Sequence, residues 1–257
     1  WSSDVCSSDL DTVMQTQKRL LGFMLRIGAA LAISIVASPA ISAPIEWVTV
    51  GSPNATKDNT GYGAVGYEFQ MAKYETTNAQ YVEFLNAVAD KEDVHGLYNA
   101  GMTNSVHGGI ARQGALGSYS YSAKAGMENK PINFVSFYDT LRFANWLNNG
   151  KGAWDTESGA YTLGGTNPVG VVRNAGANIF LPSEDEWYKA AYYDAATATF
   201  FDFPAGSDAE TTCGSPGATA NTANCESGFL QDVGSYTGAA SPYGTFDQGG
   251  NVWEFTE

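Results

Sequence analysis

The sequence predicts an irregular α+β domain, and three observations carry that reading. Three segments open with helix-capping residues and continue with apolar side chains at helical spacing. Two short segments alternate as strands do, and two long glycine-rich stretches follow no period. The first helix starts at Thr77-Asn-Ala-Gln80, a capping box, and Tyr81, Phe84, Leu85 and Val88 then mark its buried stripe. The second opens at Ser136, carries Leu141, Ala144 and Leu147 on one face, and stops at Asn148-Asn149-Gly150. The third opens at Ser183-Glu-Asp-Glu186, carries Trp187, Ala190 and Ala191, and is expected to end near Asp194. Residues 46–50 and 67–74 alternate as strands. Residues 96–129 and 205–228 cannot be placed by periodicity. Long ordered loops inside a domain call for a tether, either a disulfide or a metal.

Composition narrows the function. Of 257 residues, 44% are hydrophobic and 13% aromatic, which supports a folded core. The charge of −14, from 27 acidic and 13 basic residues, argues against a nucleic-acid partner, because a phosphate backbone requires a basic face. An acidic surface is compatible with cation binding, and equally with a solvated surface that has no electrostatic partner.

Residues 1–13 precede the first methionine and are set aside as a read-through segment. From Met14 to Ala43 the order is that of a secretory signal peptide: Lys18, Arg19 and Arg26, then an apolar run at 27–37, then small residues up to Ala43. The run is shorter than the ~20 residues of a membrane-spanning helix. Export to the periplasm, cell surface or exterior is therefore expected, with residues 44–257 forming one domain. Cys213 and Cys225 are then the only cysteines of the mature chain. An oxidising compartment would join them in a disulfide closing a short loop, worth roughly 3 kcal/mol; two free thiols are the alternative.

Most catalytic schemes find no support. Two histidines, His95 and His107, cannot build a three-histidine iron site, and no serine sits in a G-x-S-x-G turn. The pair Gly61-Tyr-Gly63 lacks the strand-turn-helix context of a phosphate loop. Asp185, Glu186 and Asp202, read as lying on a surface helix or loop, give no reason to assign glycoside chemistry. The segment from Tyr243 to Glu254 differs. Asp247 and Glu254 bracket Gly249-Gly250, a pair that lets the backbone curl and turn carbonyl oxygens inward. Two carboxylates plus carbonyls make a hard oxygen site suited to calcium; a tight turn into a buried Asn-Val-Trp strand is the alternative.

Four motifs in one order resemble the formylglycine-generating-enzyme, or sulfatase-modifying-factor, family. They are Tyr74-Glu-Thr-Thr-Asn, Pro131-Ile-Asn-Phe-Val-Ser136, Leu181-Pro-Ser-Glu-Asp-Glu-Trp187 and Gly250-Asn-Val-Trp-Glu254. The resemblance implies an irregular C-type-lectin-like fold stabilised by calcium. One family calcium site would fall on the Asp247 and Glu254 side chains with the Gly250 and Val252 carbonyls. A second would fall on Asn221 and Thr222, with Glu226 or Ser227 opposite. The family enzyme holds copper on two thiolates that follow the Asn-x-Trp-Glu motif. Cys213 and Cys225 precede it, so copper is expected only if sequence beyond Glu257 supplies cysteines, and the domain is expected to be incomplete there. The wording resembles exported members with a PEP-CTERM sorting tail. The expected function is a calcium-stabilised, monomeric, non-catalytic binding or structural module for a protein, peptide or glycan. An oxidase acting on a sulfatase cysteine and a lectin-like surface adhesin are the alternatives.

Overall fold

Each long helix begins where its capping chemistry places it. The computed structural model describes residues 42–153, 155–164, 170–225 and 227–257. The segment expected to be read-through, nearly all of the expected signal peptide, and Glu226, an expected calcium ligand, lie outside these residues. Helix α1 (Asn78–Val88) is capped by Thr77, whose side chain accepts from the Gln80 N–H while the Gln80 side chain accepts from Thr77 N. Helix α2 (Gly101–Asn104) is one short turn. Helices α3 (Phe137–Asn148) and α4 (Glu184–Tyr192) repeat the reciprocal box, with Ser136–Asp139 and Ser183–Glu186. Such a box satisfies two otherwise unpaired amides of the first turn.

Strand pairing is local throughout. β1 (Trp47–Val50) and β2 (Phe69–Ala72) are antiparallel, with Trp47 opposite Ala72. β3 (Ile110–Gln113) and β4 (Ser120–Ala123) form a hairpin inside the stretch that periodicity left blank. β5 (Tyr193–Asp194) pairs with β6 (Thr199–Phe200), so α4 ends at Tyr192, before the expected Asp194. β7 (Thr212–Cys213) and β8 (Thr222–Ala223) run parallel, and a Cys213–Cys225 disulfide closes the loop between them. Two-stranded pieces are marginal alone in water, so each depends on packing against a helix.

Helix α3 supplies most of that support, because it is buried on two sides. Phe143 and Trp146 enter a cluster with Tyr81, Phe84 and Leu85 of α1 and Tyr121 of β4. Phe84 meets Phe143 edge-on at 5.4 Å between ring centroids. Leu141 and Ala144 pack instead against Ala160, Tyr161 and Leu163. A third cluster sets Val50 and Phe69 against Ala190 of α4.

Glu186 is fully buried, which corrects its expected place on a surface helix. Arg173 bonds it through both guanidinium nitrogens, at 2.7 and 3.1 Å, and the Tyr67 hydroxyl donates to it at 2.5 Å. Burial alone would raise its pKa. The bonds from Arg173, Tyr67 and Ser183 outweigh burial and hold Glu186 below the usual carboxylate range. Its stabilising contribution is therefore complete above the unfolded-state pKa and disappears as pH falls through the folded one.

Two outcomes follow for denaturant titrations. Thr77→Ala should lower stability by about 1 kcal/mol, against about 3–5 kcal/mol for Phe84→Ala. Glu186→Gln should cost up to about 3 kcal/mol at pH 7 and flatten the loss of stability on acidification; an acid limb as steep as in the parent would contradict the assigned role of Glu186.

Candidate functional site

The strand β2 leads through Lys73, Tyr74, Glu75 and Thr76 into the cap of α1, and the last loop of the chain lies across this crossing. Phe246 N–H donates to the Lys73 carbonyl at 2.9 Å, and the Phe246 ring packs on Tyr74. The backbone then curls as its residues dictate. Asp247 and Asn251 adopt left-handed φ of 65° and 59°, and Gly250 has φ of 132°. A Cβ at Gly250 would lie 2.8 Å from the Asn224 carbonyl oxygen, so only glycine fits.

Asn251 ties this loop down. Its Nδ2 donates to Glu75 Oε2 at 2.7 Å, and its Oδ1 accepts from Gln231 N–H and Asn224 Nδ2, each at 3.0 Å. Asp247 Oδ2 accepts from Gly234 N–H at 2.6 Å. Glu254 accepts from the indole N–H of Trp187 on α4. Three carboxylates, Glu75, Asp247 and Glu254, are near enough to raise one another's pKa. Among the described residues none of them forms an ion pair with a Lys, Arg or His. Glu75 Oε1 is buried without a hydrogen-bond partner.

The electrostatic consequence is uniform in sign. Burial, reinforced by the charges of Glu254 and Asp247, pushes Glu75 well above the ordinary carboxylate range. Burial and the nearby Asp247 push Glu254 up to about 7. Asp247 is raised by burial, partly offset by its bond from Gly234.

The expected calcium ligands are divided between two spaces. Asp247 and Gly250 line a small cavity of about 20 Å³ together with Asn224, Gln248 and Thr222. That is room for one water-sized species. Thr222, expected in the second calcium site, therefore meets residues of the first. Val252 and Glu254 instead face a groove of about 560 Å³ whose walls include Trp47, Met71, Phe134 and Phe255, with Glu75 beside them. Gln248 and Asn251 border both spaces. Among the described residues no donor bonds the Gly250 or Val252 carbonyl, and no three His, Cys, Asp or Glu form a ready-made chelate. The oxygens of Asp247 and Glu254 are hard donors of the kind calcium takes, but the two carboxylates open onto different spaces, with Gln248 and Asn251 between them. The Asn-Val-Trp segment is not the buried strand considered as an alternative: it is irregular, and Trp253 is 100% exposed.

Asn221 plays a different part. Its Nδ2 donates to Ser207 Oγ, the Ala209 carbonyl and the Glu210 carbonyl, and its Oδ1 accepts from Thr211. Ser227 bonds Asn224 and the Phe229 carbonyl rather than Asn221. Sequence reasoning did not single out Glu75, Trp187 or Asn251 as site residues. All three lie inside the quoted motifs, which were the available signal.

The family model of the sulfatase-modifying factor enzyme 1-like domain matches residues 55–257. The chain belongs to this family. Neither a curated protein nor a solved structure matches it. The irregular, loop-rich α+β architecture of this sulfatase-modifying-factor-like domain agrees with the membership. Its two described cysteines are bonded to each other, at a Cα–Cα distance of 5.3 Å. Among the described residues no helix is long and apolar enough to cross a membrane.

Two substitutions test this geometry. Gly250→Ala should destabilise by at least about 1 kcal/mol, since it adds both a left-handed φ and a backbone clash. Replacing Cys213 and Cys225 together by serine should cost about 3 kcal/mol by the loop-closure relation, read as a lower denaturation midpoint.

Proposed function

We propose that this domain is an exported, calcium-stabilised binding module of the sulfatase-modifying-factor family. The observation that carries the reading is the set of half-buried carboxylates, Glu75, Asp247 and Glu254, whose pKa values are all raised and which have no basic partner among the described residues. Uncompensated buried charge is costly, and it is relieved by a proton or by a cation. A divalent ion that drew Asp247 and Glu254, with the carbonyls of Gly250 and Val252, together from the two spaces they line would offset the repulsion and fix the loop that forms one wall of the groove. The groove, rich in aromatic and aliphatic side chains, offers the binding surface. The disulfide supports export, because such bonds persist in oxidising compartments.

The family also supports a second reading, an oxidase that converts a sulfatase cysteine to formylglycine. The described cysteines are joined in a disulfide and supply no thiolate for copper, so this activity would require cysteines from further sequence.

Melting in calcium and in chelator tests the first reading. With a Kd of order 10⁻⁵ M and calcium near 10⁻³ M, stabilisation is about 2.7 kcal/mol, or roughly 5–10 °C in Tm. Asp247→Ala should abolish the difference. Identical melts of the parent chain in calcium and chelator would rule calcium out.

A further inference from the structure

A third space, of about 560 Å³, shares no lining residue with the groove or with the Asp247 loop. It lies between residues 54–60 and the hairpin of β5 and β6, and its floor includes Tyr188, Phe200 and Phe201. We infer that this pocket binds a short neutral glycan, one or two sugar rings, held against its aromatic floor and hydrogen-bonded by the polar residues at its rim. The assignment rests on the binding-module reading but not on the cation.

The pocket wall is held in place before any ligand arrives. Asp58 accepts from Thr60 N–H at 2.7 Å, from the Thr60 hydroxyl at 2.5 Å and from the Tyr188 hydroxyl at 2.6 Å. Gly63 N–H donates to Asp185 of α4 at 2.8 Å, and a Cβ at Gly63 would lie 2.5 Å from the Phe200 ring. Lys189, fully buried, donates to the carbonyls of Ser52 at 2.8 Å and Val65 at 3.2 Å, with no carboxylate in contact. Burying an amine without a counter-ion is costly, and here it fixes the two ends of the loop that forms the wall. Ser52 and Ala198, beside and within the lining, take left-handed φ of 59° and 56° without being glycine. Strain of this kind persists where the surroundings impose it, and it gathers at binding sites.

The lining selects the ligand class. Phe200 lies 5.6 Å from Tyr188 and 4.8 Å from Tyr193 between ring centroids, giving the lining an aromatic surface. A sugar ring offers an apolar C–H face to such a surface and hydroxyls to its edge. The side chains of Asn54, Lys57, Asn59 and Asp202 make no hydrogen bond among the described residues, so they are free to pair with hydroxyls. Both oxygens of Asp58 are engaged by neutral donors, so the lining carries Lys57 against two carboxylates, Asp58 and Asp202. That excess of negative charge disfavours an anionic ligand, and the unpartnered amides of Asn54 and Asn59 suit the hydroxyls of a neutral one.

Saturation-transfer NMR and calorimetric titration of the whole chain, in calcium buffer, with lactose, maltose, cellobiose, chitobiose and mannobiose, would test this. At least one disaccharide should bind with a Kd on the order of 10⁻³–10⁻⁴ M and receive saturation on its ring C–H protons. The variant carrying Asn59→Ala and Asp202→Ala, both exposed positions, should lose at least about tenfold in affinity with an unchanged melting temperature. Asp247→Ala should lower Tm yet leave the affinity intact below the melt, which separates failure of the cation reading from failure of this one. Absence of binding to the folded parent, binding undiminished in the double variant, or preferential capture of spermidine would each overturn the glycan assignment.

Discussion

Backbone groups that no extended sheet can satisfy are the constraint under which this fold is built. Every strand has one partner, so peptide groups in the long loops need other donors and acceptors. Buried amide and amine side chains provide them. Asn78 gives its Nδ2 to the carbonyls of Met127 and Lys130, bringing a distant loop onto the start of α1. Asn145 donates to the Thr156 and Tyr161 carbonyls and accepts from Tyr161 N–H. Asn251 and Lys189 do the same for the last loop and for residues 52–65. Each of these residues is placed where a hydrophobic side chain would leave peptide groups unpaired.

The same contrast governs charge. Glu186 is buried with Arg173 against it and stays ionised. Glu254, bonded to the same helix through Trp187, is half-buried without a cation, and its pKa is raised toward neutrality. Both belong to an acidic chain, yet Glu186 accepts from Arg173, Tyr67 and Ser183 while Glu254 accepts only from Trp187.

How much of this was legible in the sequence depended on the range of the interaction. The three long helices were legible because a cap lies within three residues of what it caps, and Thr77, Ser136 and Ser183 each start their helix as read. The β3–β4 hairpin was not, because Ile110 and Tyr121 are buried by α1 and α3, elements that no local pattern in residues 96–129 points to. Glu186 was misplaced for a similar reason: nothing near it announces Arg173, thirteen residues earlier across an irregular stretch. The curl around Asp247 was readable from its glycines and acids. The approach of Glu75, from the far end of the domain, was not. Nor could spacing reveal that Thr222 and Asp247 border one small cavity.

Helix α4 spans only nine residues, yet five in succession reach different parts of the chain. Asp185 holds Gly63, Glu186 holds Arg173, Trp187 holds Glu254, Tyr188 holds Asp58, and Lys189 holds Ser52. With 100° between neighbours, consecutive side chains point around the whole circumference, so the helix works as an axle with a spoke to each surrounding loop. Loops that share one short helix as their anchor are coupled through it, so fraying in one bears on the seat of the others, a role that a broad sheet plays in more regular domains.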